Sequence, residues 1–138
     1  MLILSLTGFE ADPSGRVVYV SFDASISARP FSGESNSTVH ERELLSFLDA
    51  AESLGRTSSG RAELRGGWGE SEYVKFLLEP RGSLGHLALH VVLREYAPDT
   101  NFRVQGNLHV EPQGLLDFVT LVRAAVLARE TKTFELGS

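Results

Sequence analysis

The sequence predicts a two-layer α+β fold, with an antiparallel sheet of about six strands in the order ββαββββα and two helices packed on one face. Three observations predict it. Residues 38–54 and 112–126 place apolar side chains at helical spacing. The segments around them alternate apolar and polar residues with a period of two. The connections between the last four alternating segments are too short for a crossover helix, which forces an antiparallel meander.

The elements follow in order. Leu2 to Thr7 alternates as a strand, and Asp12-Pro13-Ser14-Gly15 reads as a turn. Arg16 to Ala28 is a long strand with Val18, Val20, Phe22, Ala24 and Ile26 on one side. Pro30 ends it, and the Gly/Ser/Asn-rich stretch from Phe31 to Ser37 reads as a loop. Thr38-Val39-His40-Glu41 fits a capping box that opens the first helix. Leu44, Leu45, Leu48, Ala51 and Leu54 form its stripe, and Gly55 stops it. Four strands follow: Arg61 to Gly66, Tyr73 to Glu79, Leu84 to Glu95 and Asn101 to Glu111. Their expected core sets are Ala62 and Leu64; Val74, Phe76 and Leu78; Leu87, Leu89, Val91 and Leu93; and Phe102, Val104, Leu108 and Val110. A tight turn at Gly82-Ser83 sets Leu78 opposite Leu87, Phe76 opposite Leu89 and Glu79 opposite His86. Pro112 suits the first turn of a second helix, whose stripe is Leu115, Phe118, Val119, Val122 and Val126. The tail from about residue 129 reads as frayed, and the 138 residues as one domain.

Composition narrows the function by exclusion. The net charge of -5 argues against tracking a nucleic-acid backbone. The absence of cysteine removes disulfides, thiolate metal sites and cysteine nucleophiles. No apolar run is long enough to span a membrane, and Leu2 to Leu6 is too short for a signal-peptide core, so a cytoplasmic location is expected. No serine sits in a Gly-x-Ser-x-Gly elbow, and no His-Glu-x-x-His occurs, so the expectation is a protein that is not an enzyme. The glycines of Arg65-Gly66-Gly67-Trp68-Gly69-Glu70 are not followed by the Gly-Lys-Ser/Thr of a phosphate loop. They suit a wide hairpin that presents Trp68 to a protein partner.

The polar face of the predicted meander supplies the candidate sites. For a protein partner they are Trp68, Tyr73, Arg65, Lys75, Arg94 and Arg103. His86 and His90 share that face with His109 of the next strand. His109 falls opposite Ala88 in one register and opposite His90 in the next, and three imidazoles with a nearby carboxylate suit zinc. Zinc binding by these histidines is therefore the alternative to protein binding, and homodimerisation through the open face is another. No other cofactor is expected.

The element order, the Phe31-Ser32-Gly33 loop, the helix Glu43-Leu44-Leu45-x-Phe47-Leu48 and a last helix starting near Glu111-Pro112 carry a resemblance. Over Arg16 to Ala128 the chain resembles WapI-type bacterial immunity proteins and related uncharacterised bacterial families. That resemblance implies a cytoplasmic, non-enzymatic protein that binds and neutralises a cognate toxin. A negative net charge suits a basic toxin as partner.

Overall fold

The computed structural model describes residues 1–28, 30–68, 71–97 and 100–137, and the side chains at 68, 71–72, 96–97 and 100–101 fall outside what it describes. The chain is α+β, with ten elements among the described residues: β1 (Leu2–Ala11), β2 (Val18–Ala28), β3 (Phe31–His40), α1 (Glu41–Thr57), β4 (Ala62–Trp68), β5 (Ser71–Arg81), β6 (His86–Ala97), β7 (Thr100–Val110), α2 (Pro112–Ala128) and β8 (Thr133–Leu136). The strands form two antiparallel sheets of four, in the orders β3-β2-β1-β8 and β4-β5-β6-β7. The expected single sheet of about six strands is therefore corrected to eight strands in two sheets.

Two strands account for the difference. The expected loop at 31–37 is β3. Its inward positions are Gly33, Ser35, Ser37 and Val39, so small residues hide the alternation that would mark a strand. The expected frayed tail contains β8, which pairs with β1 and buries Phe134 and Leu136. The capping box is also replaced. Thr38 belongs to β3, where its hydroxyl meets Ser21, and His40 holds the N-cap position without a side-chain bond. Glu41 and Glu43 instead put negative charge in the first turn, where the helix dipole favours it.

β3 runs across the strands of the second sheet. A Cβ at Gly66 of β4 would lie 2.5 Å from Ser37 Oγ and 3.2 Å from a Val39 methyl, and one at Gly33 would lie 2.8 Å from Val104 of β7. Ser35 Oγ donates to the Arg94 carbonyl of β6 at 2.7 Å. Gly66, Val74, Leu93 and Val104 form one register row, and β3 lies over that row. The two inner faces thus meet at a steep angle, in the orthogonal manner of sheet packing. Phe22 and Phe76 stack across the same space, 6.2 Å between centroids.

The helices complete the core. α1 packs against β2 to β5, α2 packs against α1 and β8, and Gly55 lets the Leu116 side chain approach α1 closely. One hydrophobic cluster draws on both sheets and both helices. The apolar stripes read from the sequence are buried in both helices except for Leu45, which is half-buried, and Phe47 joins the α1 set. Of the expected core set, Phe102 is the exception, at 65% exposed. It lies one inward position beyond Val104, the residue that Gly33 of β3 meets, toward the end of the sheet away from the helices.

The hairpin register also moves. Strand pairing ends at Arg81 opposite His86, and the turn is four residues long, with Gly82 and Gly85 both at positive φ. Leu78 therefore faces Leu89, Phe76 faces Val91, and Glu79 faces Ala88. The shift from the expected register is two residues, so every side chain keeps its face.

Two substitutions test this packing. Phe134→Ala should cost about 3 kcal/mol in a denaturant titration, whereas truncation in a frayed tail would cost nothing. Ser37 Oγ is buried with no hydrogen-bond partner among the described residues. Ser37→Ala should therefore stabilise the chain by about 1 kcal/mol, while Gly66→Ala, which drives a methyl into Ser37, should cost about 1–3 kcal/mol.

Candidate binding face and histidine cluster

Both inner faces are covered, so each sheet turns its other face to solvent. On the second sheet that outer face carries Glu63 and Arg65 of β4, Lys75, Leu77 and Glu79 of β5, His90, Val92 and Arg94 of β6, and Arg103, Gln105, Asn107 and His109 of β7. The strand register gathers cations at one end of the face and leaves the other end mixed, with Arg81 opposite His86 beside Glu79. Toward Gly66 lie Arg65, Lys75, Arg94 and Arg103. Toward the start of α2 lie Glu79, His86, His109 and Glu111.

At the cationic end, Glu63 is shared by three cations. Arg65 Nε lies 2.5 Å from it, Arg61 3.1 Å and Lys75 Nζ 3.8 Å. The hydrogen bond from Arg65 leads in holding the Glu63 carboxyl below the usual glutamate range, and partial burial opposes it. Arg94 and Arg103 are directly opposite each other across β6 and β7. Among the described residues neither guanidinium has an ion pair. Like charges set opposite each other on one face destabilise a sheet.

The backbone at Arg94 is fixed by the fold. A bulge between Gly66 and Gly67 leaves Tyr73 unpaired, and regular β5–β6 pairing ends at Val74 opposite Leu93. The Arg94 carbonyl then takes its hydrogen bond from Ser35 of the other sheet. Tyr73 is half-buried against the core. With Arg94 it lines a groove of about 710 Å³ that leads past Ser35 and Glu95 to Asp23 and Glu34 on the first sheet. Of the six residues expected to meet a partner, Arg65, Lys75, Arg94 and Arg103 share the cationic end, and Tyr73 sits at its margin. Trp68 ends β4, and its side chain lies outside the described residues.

At the opposite end the expected trio of histidines separates. His109 lies opposite Ala88, one of the two registers expected, and its ring stands 5.2 Å from that of His86. His90 is held elsewhere. Its Nδ1 meets the Asn107 side chain, and its Nε2 lies 2.7 Å from Glu79 Oε1. The residue that joins His86 and His109 is Glu111, the N-cap of α2, whose Oε1 lies 2.6 Å from His109 Nε2. Ligand atoms of His86, His109 and Glu111 all fall within 4.8 Å of one another. The hydrogen bond to His109, with the charges of both histidines, holds the Glu111 carboxyl below its ordinary value. Alternation placed the histidines on one face, but Glu111 reaches them through the strand-to-helix corner, which alternation does not describe. Ser35 gave no signal at all as a residue that orders this face, because its segment read as a loop.

No helix among the described residues is long and apolar enough to cross a membrane. Comparison with protein-family models, with curated proteins and with solved structures finds no match for the chain.

The Glu63 hub has a pH signature. Because its folded pKa is depressed, its contribution is present at neutral pH and is lost as the pH falls below the ordinary value of 4.5 through the folded pKa. Glu63→Gln should therefore be less stable than the native chain at pH 7. The gap should close on acidification, measured by denaturant midpoints across pH 7 to 3. A gap independent of pH would remove the electrostatic account.

Proposed function

We propose that this chain is a non-enzymatic protein-binding domain that docks an acidic surface of a partner on the cationic end of its second sheet. The observation that carries the reading is the facing pair Arg94 and Arg103. The pair costs stability in the free protein, and a partner carboxylate between the two guanidiniums would relieve their repulsion. Arg65 and Lys75 extend the same patch, with Leu77 and Val92 as apolar contacts between them. Tyr73 at the margin is of a type enriched in interface hot spots. The local charge of this face, not the net charge, sets the partner's sign. The acidic partner thus replaces the basic one that net charge alone suggested.

Immunity-type neutralisation of a cognate toxin in the cytoplasm is the specific role in this reading, and it draws on the resemblance described above. The protein would act by occlusion, so it requires an ordered face and no reacting group. A nucleic-acid partner fits less well, because a net charge of -5 repels a polyanion beyond the patch itself.

Arg103→Glu makes the test sharp because it should move two properties in opposite directions. It removes the like-charge pair, so the free protein should gain about 0.2–1 kcal/mol. It also reverses a contact charge, so affinity for the partner should fall about tenfold and lose part of its salt dependence. The partner is obtained by capture at near-native expression, purified, and titrated against both proteins at two salt concentrations. Unchanged affinity in the variant, or a native chain that binds no protein and self-associates through this face, would overturn the proposal.

A further inference from the structure

We infer that His86, His109 and Glu111 form a binding site for a divalent transition-metal ion. The three side chains come from three elements: the first residue of β6, the penultimate residue of β7 and the N-cap of α2. Strand register brings the two imidazoles together, and their rings stand 5.2 Å apart. The three ligand atoms lie within 4.8 Å of one another, and tetrahedral bonds of the usual length to zinc require ~3.3 Å between ligands. Side-chain rotation of about an ångström at the exposed His86 and Glu111 closes that difference. Two imidazoles and one carboxylate form a borderline donor set that suits zinc, nickel or copper and not calcium or magnesium. The solvent side is left for water.

Two features order the site. The main chain at His109 is crowded by the end of β8, where a Cβ at Gly137 would come within 3.0 Å of the His109 carbonyl. The Glu111 carboxylate is already drawn to His109 Nε2. Metal entry replaces that hydrogen bond with one bond to Nε2 and one to the carboxylate; the Nε2 proton passes to solvent, and the neutral His109 ring keeps its proton on Nδ1. Arg81 is the cation opposite His86 in register, and it is exposed, free to turn into water. Glu79, which shares a register row with His109 across Ala88, is held by His90 of the next row, and that pair stays outside the site.

The test uses the untagged full chain with zinc alone and nickel alone. Isothermal titration should give one ion per chain, and His86→Ala and Glu111→Gln should each weaken it about tenfold or more. His90→Ala should leave it unchanged, and Arg81→Gln should tighten it. Histidine ring resonances of the native chain give a readout that needs no variant: those of His86 and His109 should shift with zinc before that of His90. Absence of stoichiometric binding, native affinity in both ligand variants, or a first shift at His90 would overturn the site.

Discussion

The passage of β3 across one register row of the second sheet is the contact on which the rest depends. Gly66, Val74, Leu93 and Val104 make that row, and Val39, Ser37, Ser35 and Gly33 lie over it in turn. Two sheets can approach this closely only where one of each facing pair is small. Gly66 yields to Ser37 and Val39, and Gly33 yields to Val104. The price is the hydroxyl of Ser37, buried against Gly66 with no hydrogen-bond partner among the described residues. Away from the crossing, the larger side chains of α1 and α2 fill the remaining volume, with Leu48, Leu115 and Val122 wholly buried.

The same crossing arranges the outer surface. Beside it the β4–β5 pair carries a bulge at Gly66 and Gly67, regular β5–β6 pairing ends at Val74 opposite Leu93, and Ser35 of β3 donates to the Arg94 carbonyl. Arg94 is thus anchored through its main chain while its side chain faces Arg103. A binding surface whose backbone is held by the core loses little freedom on association. At the other end of the face, the turn from β7 into α2 delivers a carboxylate to two imidazoles. Strand direction separates the two ends of the face, so one can change without the other.

Much of the fold was legible where large apolar side chains carried the period. The stripe from Leu44 to Leu54 and the alternation from Leu87 to Leu93 required no tertiary information, and both are buried as read but for the half-buried Leu45. β3 was illegible for a physical reason. A strand that must slide over another sheet carries Gly and Ser inward, and those residues also make loops. β8 was missed because two buried residues, Phe134 and Leu136, are too few to show a period. The candidate face was legible as a face, since a two-residue slip of the hairpin preserves parity. Its pairings were not. Which histidine met Glu111, and which met Glu79, depended on a turn of four residues where two were expected and on a corner outside any strand.

The pairing of β8 with β1 sets Leu2 opposite Leu136, residues from the two ends of the described chain. β1 and its hairpin partner β2 leave synthesis together, while the strand that covers the other edge of β1 comes only at Thr133–Leu136. During that interval the Leu2–Ser5 edge offers unpaired amides and carbonyls beside the open side of the core. A late strand from a second molecule would satisfy that edge as well as the chain's own. The closing strand is thus the piece on which any exchange between copies would turn.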